Sequence, residues 1–272
     1  MRFYYSNSTH NFGDMLNAVL FERIFSLPVE KVHYKKADFF GIGSVLQKLL
    51  VPKSAWIKDW LQQWQPQVSV LGSGFIRDFD PKEYVIRRKT TPLAVRGLLS
   101  LHLLRSLVPC KPDIVTGDMG IFADQLLDKP PKKRYAIGII PHYTEQQHEL
   151  VLRLTEDLPH STVIDVLKSP IDVIQHIAEC ELILSSSLHG LIVADALRIP
   201  NHHIVMTDLV LGKGFKFQDY YSNYEIMHSP WTPNSLPSVD ELTTAIADTY
   251  AVQPMHVEAM KQRLYACMKE LI

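Results

Sequence analysis

No apolar run in this chain of 272 residues reaches the roughly 18 positions that a membrane-spanning helix requires, so no span is expected. Charge of one sign is also missing. Lysine and arginine number 28 against 29 aspartates and glutamates, a formal net charge of -1. That balance gives no basic face of the kind nucleic acid demands. Cysteine is scarce: Cys110, Cys180 and Cys267 are far apart and odd in number. They read as reduced thiols, not as a disulfide framework or a metal knuckle. The opening residues, Met1-Arg2-Phe3-Tyr4-Tyr5-Ser6-Asn7, lack the positive–apolar–cleavage order of a secretory signal. Internal repeats and low-complexity tracts are absent. These absences leave a soluble, enzyme-sized chain, expected in the cytoplasm, with no metal site, no cofactor and no nucleic-acid partner.

What the chain does contain is alternation. Strands are expected at residues 2–6, 68–71, 93–96 and 113–116, each closing on Gly, Ser, Asn or Asp, with helices at 15–25 and 98–107. Such strand ends, followed by helical crossovers, are the signature of a parallel α/β sheet. The run Asp128-Lys129-Pro130-Pro131-Lys132-Lys133-Arg134 then interrupts the pattern and reads as a linker. Alternation resumes with strands at 135–140, 162–166, 180–184 and 203–206 and helices at 145–154, 170–178 and 188–197. Ser169 followed by Pro170 marks one helix start clearly. After Pro230, Pro233 and Pro237, two further helices are expected at 239–249 and 255–271. The division expected is 1–130, 131–252 and a C-terminal helix within 253–272 that packs back on the first unit.

Ligands of open α/β sheets bind at the C-terminal ends of the strands, and the polar residues cluster there. In Ser185-Ser186-Ser187-Leu188-His189-Gly190 an aliphatic strand stops at three serines and restarts as a helix. Free N–H groups and the positive end of the helix dipole make such a junction a seat for a phosphate or carboxylate. His189 stands at its rim, able to exchange a proton, although a capped, purely structural turn explains the pattern equally well. Asn11, Asp14 and Asn17 follow the first strand, where they either cap a helix or meet sugar hydroxyls. Gly74 ends a tight turn that could lie close to a ligand. Arg96 at the end of a buried strand needs an anion, either a carboxylate such as Asp118 or a substrate group. His142 and Tyr143 follow the strand at 135–140. Lys213 and Lys216 lie in an aromatic tract that either closes over a ligand or packs as a helix.

Together, Asn11-Phe12-Gly13-Asp14-Met15-Leu16-Asn17, Leu71-Gly72-Ser73-Gly74, Val95-Arg96-Gly97, Gly117-Asp118, Ile139-Ile140-Pro141-His142-Tyr143 and Ser185-Ser186-Ser187-Leu188-His189-Gly190 resemble the polysaccharide pyruvyl transferase family. The resemblance covers most of the chain. It implies two Rossmann-like domains facing across a cleft, similar to the GT-B glycosyltransferases. The first would face the acceptor and the second would carry the anion site for the donor. It further implies transfer of a pyruvyl group from phosphoenolpyruvate, as donor substrate, to a saccharide of a cell-surface or exopolysaccharide precursor, forming a ketal. His189 lies in the family's Leu-His-Gly motif and is implied as the catalytic histidine, with Asp14 or His142 serving the acceptor. Asn11, Asn17, Gly74, Arg96, Ser185, Ser186, Ser187, Leu188, Gly190 and Lys216 are the expected substrate contacts. Many members carry arginine where this chain has Ser187, so positive charge is expected from Arg96, Lys213 or Lys216. The acceptor's form stays open: free, nucleotide-linked, lipid-linked or polymeric. A lipid-linked acceptor would bring the enzyme to the inner face of the cytoplasmic membrane. A nucleotide-sugar glycosyltransferase and a non-catalytic glycan- or anion-binding protein are the competing readings.

Overall fold

A computed structural model describes residues 1–6, 10–55, 60–129, 131–232, 240, 242, 244, 246, 250, 252–269 and 271. The chain builds two parallel sheets. The first uses β1 (Arg2–Tyr4), β2 (Glu30–Lys31), β3 (Phe39–Phe40), β5 (Val68–Ser73), β7 (Thr90–Val95) and β8 (Val115–Thr116) in the order β2-β1-β3-β5-β7-β8. A short antiparallel pair, β4 (Val51–Pro52) and β6 (Tyr84–Val85), stands beside it. The second sheet uses β9 (Tyr135–Ile140), β10 (Ser161–Val163), β11 (Cys180–Ser185) and β12 (Asn201–His203) in the order β10-β9-β11-β12. Helices α1 (Phe12–Arg23) and α2 (Leu98–Arg105) belong to the first half of the chain. α3 (Glu149–Asp157), α4 (Pro170–Ala178), α5 (Leu188–Ala196), α6 (Phe215–Tyr221) and α7 (Pro254–Lys269) follow.

The strands alternate faces with a period of two, and this sorts the core. Along β11, Leu182 and Leu184 pack with Ile137, Ile139 and the α3 residues Val151 and Leu154 on one face. Ile183 faces the other way and joins a larger cluster with Phe12, Leu16, Phe122, Ile174, Leu191 and Met260. That larger cluster therefore draws on α1, α4, α5, α7 and the 3-10 segment Met119–Leu126, and it is continuous between the two sheets. The first sheet has its own outer cluster around Phe40, Val70 and Leu104. α7 returns to the first sheet: Lys261 Nζ donates to Asp124 at 2.7 Å and Cys267 Sγ lies 3.5 Å from the Leu93 carbonyl.

Several element limits differ from the periodic reading, for local reasons. α1 begins at Phe12, three residues earlier than expected, because Asn11 caps it through a 3.1 Å bond from the Asp14 N–H. α3 begins at Glu149, not Glu145, because His148 provides the cap and Glu145 is instead buried in the preceding turn. β10 stops at Val163 and the last strand is shifted to Asn201–His203. Ser169 and Pro170 open α4 as expected. The helix expected at 239–249 falls in part outside the described residues. Among the described residues no helix is long and apolar enough to cross a membrane.

Candidate functional site

Each sheet has one place where strand order reverses, and there the crossover loops part and leave room for a ligand. In the first sheet it lies between β1 and β3; in the second, between β9 and β11. A pocket of about 360 Å³ joins both places. Ser6, Asn11 and Asp14 enter it after β1, and Gly43, Ser44 and Val45 after β3. His142, Tyr143 and Thr144 enter after β9, while Ser187, Leu188 and His189 enter after β11. Lys216 reaches it from α6, and Leu209 and Leu211 from the loop before that helix.

The N-terminus of α5 is open. Ser187 sits at its cap in extended backbone (φ -102°, ψ 125°), yet its hydroxyl makes no capping bond. Leu191 N–H donates to Ser187 O, and among the described residues the N–H groups of residues 188–190 meet no acceptor. Beneath this end Ser185 Oγ accepts from Ser187 N–H at 3.0 Å and donates to Ser187 O at 2.8 Å, holding the turn. Gly190 is required for that closeness, since a Cβ there would lie 2.5 Å from Ser185 Oγ.

His189 is folded across the first turn of α1. A Cβ on Gly13 would lie 2.1 Å from His189 Nδ1, so only glycine admits the ring. Phe12 meets the ring edge-on, with centroids 6.5 Å apart. The Nε2 atom is out of solvent contact and has no hydrogen-bond partner among the described residues. Burial, reinforced by the positive charges of Lys216 and Arg96, pushes the imidazole down to about 3, so it is neutral at physiological pH. His142 is held down to about 4 by burial and then by Lys216, and its Nδ1 lies 2.7 Å from Thr144 Oγ1.

Lys216 is only 9% exposed and makes no hydrogen bond or ion pair among the described residues. Burial, then the neighbouring Arg96, lowers its ammonium to about 8, with Glu145 and Asp14 acting in the opposite direction. Across the pocket, burial raises the Asp14 carboxyl, offset by hydrogen bonds from Asn11 and Ser6 and by the charges of Lys31 and Lys216. Asn11 Nδ2 donates to Asp14 Oδ2 at 2.8 Å, which fixes one carboxylate oxygen.

The expected site residues thus divide into two groups. Asn11, Asp14, His142, Ser187, Leu188, His189 and Lys216 line one pocket. Asn17, Gly74, Arg96, Ser185, Ser186 and Gly190 do not line it. Asn17 is fully buried and pins β3 to α1, accepting from Ile42 N–H at 2.8 Å and donating to Ile42 O at 3.1 Å. Arg96 is paired with Asp219, not with Asp118: its Nε lies 2.9 Å from Asp219 Oδ2, and its other nitrogens donate to Ser44 Oγ and the Phe75 carbonyl. Gly74 makes room for that guanidinium, since a Cβ there would lie 2.4 Å from Arg96 Cζ. Asp219 is three residues from Lys216, so the pair anchors the helix that presents the lysine. Of the three cations expected to replace the missing arginine, Lys216 alone lines this pocket; Lys213 lines a neighbouring one.

Two participants were not anticipated. Glu145, buried in the turn before α3, accepts from Ser186 Oγ at 2.5 Å and from Thr207 Oγ1, bracing the His142 loop against β11. In the sequence Gly13 is only one letter of a motif; its role as the seat of His189 depends on a contact 176 positions away that no local pattern encodes.

A family model described as polysaccharide pyruvyl transferase matches residues 11–206. The chain is 29% identical over 236 residues to the succinoglycan biosynthesis protein ExoV of Rhizobium meliloti (strain 1021), covering 85% of this chain and 67% of that protein. It is 32% identical over 136 residues to the uncharacterized protein L143 of Acanthamoeba polyphaga mimivirus, covering 48% of this chain and 47% of that one.

Proposed function

The chain belongs to the polysaccharide pyruvyl transferase family, a family of transferases, and on that premise we propose that it moves a pyruvyl group from phosphoenolpyruvate to a saccharide acceptor of exopolysaccharide synthesis. The observation that carries this reading is the pocket's unsatisfied positive potential. An open helix N-terminus, a buried lysine with no hydrogen bond or ion pair among the described residues, and the neutral His189 line one small space. Phosphoenolpyruvate brings a phosphate and a carboxylate to such a space. In this reading one group takes the N–H donors of residues 188–190 and the other takes Lys216.

The free histidine is neutral, and a bound polyanion beside it favours its protonated form. His189 then delivers a proton to the methylene carbon, which becomes the methyl group. A sugar hydroxyl attacks C2 and gives up its proton to Asp14 or His142. A second hydroxyl attacks C2 as the C2–O bond breaks; inorganic phosphate leaves with the bonding pair, and the hydroxyl's proton passes to His189, which is thereby returned to its protonated form. The product is a cyclic ketal bridging two hydroxyls. Arg96 acts at one remove, by holding Ser44 and, through Asp219, the helix that carries Lys216. Phosphate release from phosphoenolpyruvate across a panel of acceptor sugars tests the reading. Release that depends on a sugar supports it. No release with any acceptor, together with binding of a nucleotide sugar, would favour a glycosyltransferase instead.

A further inference from the structure

A second chamber of about 760 Å³ opens at the C-terminal end of β12, and it shares a wall with the first. Leu211 lines both chambers. On the wall's two sides, Ser187 and Lys216 face the first chamber while their neighbours Ser186 and Phe217 face the second. The partition is held in place from across the molecule. Gly212 (φ +96°) lies so close to the first half that a Cβ there would stand 1.9 Å from the Ile76 carbonyl oxygen. Glu145 couples the chambers further, since its partners Ser186 and Thr207 belong to the second and its own loop delivers His142 and Thr144 to the first.

Pyruvyl transfer needs two substrates in contact, and both chambers are of the size that takes small molecules. The first is the smaller, and its lysine, Lys216, is buried, whereas Lys213 of the second is exposed to solvent; a buried cation in a small space suits a compact polyanion. From these observations we infer that the second chamber holds the saccharide acceptor, an inference that rests on the transfer reading. Its lining is amphipathic, as a pyranose is: Val205, Met206 and Pro230 supply apolar surface beside the polar Asp208 and Gln218. Both polar residues are exposed, and neither side chain has a hydrogen-bond partner among the described residues. A carboxylate accepts from hydroxyls, and a primary amide both donates and accepts, which matches vicinal or 1,3-related sugar hydroxyls. A sugar seated there presents its hydroxyls past Leu211 to the donor's C2.

The test uses the full chain, phosphoenolpyruvate and the best acceptor from the phosphate-release panel. The double variant Asp208→Asn, Gln218→Ala is expected to raise the acceptor KM by about tenfold or more, as loss of two hydroxyl contacts does. Phosphoenolpyruvate affinity, read by calorimetry, and kcat at saturating acceptor are expected to stay within about twofold, a change worth under ~0.5 kcal/mol. An unchanged acceptor KM in a wild type that does release phosphate overturns the chamber assignment alone. A parallel loss of phosphoenolpyruvate affinity overturns it as well. Absence of acceptor-dependent release from the wild type overturns the transfer reading on which it rests.

Discussion

Two helices start at the same pocket, and they start in opposite ways. α1 is closed: Asn11 caps the Asp14 N–H, donates back to the Asp14 carboxylate, and Phe12 N–H is taken by the Val166 carbonyl at 2.7 Å. α5 is open: Ser187 provides no cap, and the first-turn donors face the pocket. Capping normally stabilises a helix by about 1 kcal/mol, so an uncapped start at a strand end leaves stability unused and donors available. The closed end presents a fixed carboxylate and the open end presents positive potential. Under the proposed transfer, the contrast assigns two tasks, serving an acceptor hydroxyl to one wall and holding an anion to the other.

Removing the histidine of the open wall should have the largest effect. His189→Ala is expected to lower turnover by about 10²–10⁴-fold, the range for a lost general acid, with circular dichroism unchanged. Near-wild-type turnover would end its role as acid. Next, the two walls should respond differently to loss of charge. Lys216→Met is expected to weaken phosphoenolpyruvate binding by about 10–100-fold, because a charge-assisted hydrogen bond contributes roughly 1.5–3 kcal/mol. Asp14→Asn should instead lower turnover while leaving that affinity intact or improved. Equal affinity losses in both variants would erase the distinction between the walls.

A subtler substitution closes the open end. Ser187→Asp supplies the missing cap and a negative charge, so it should raise stability by about 1 kcal/mol while lowering phosphoenolpyruvate affinity. Calorimetric unfolding and ligand titration read the two effects on one sample. A variant that gains stability and keeps its affinity would show that the free N–H groups do not hold the donor.

The smallest effect is on stability against pH. Burial depresses His189 to about 3, His142 and His228 to about 4 and His203 to about 2, all from an ordinary 6.5. Below that ordinary value the unfolded chain binds protons that the folded chain refuses, so stability falls as pH drops from about 6.5 toward 4. Asp118 and Asp195, raised to about 6 by burial, act in the opposite sense but are fewer. Tm measured from pH 7 to pH 5 should therefore decline. His189→Asn should flatten the decline.

Much of this arrangement was legible because it is local. Residues 185–190 carry the strand end, the turn and the helix start within six positions, and the structure puts that junction at the pocket. Ser169 with Pro170 located α4 for the same reason, a cap and a fixed φ in adjacent residues. What escaped depends on distance along the chain. Arg96 needed an anion, but nothing local says that the anion is Asp219, 123 residues later, instead of Asp118. Ser187 looked like a cap and is not one, because its backbone permits capping while its hydroxyl stays uncommitted. Glu145 looked like the first turn of a helix; His148 caps that helix instead and leaves the carboxylate to be buried by Ser186 and Thr207.

The most direct test of the open-end claim is a crystal structure of the protein with phosphoenolpyruvate. The expected result places one anionic group within hydrogen-bond distance of the N–H groups of residues 188–190, with Lys216 on the other and His189 Nε2 in reach of the ligand. Phosphoenolpyruvate bound elsewhere, with α5 still unoccupied at its start, would contradict it.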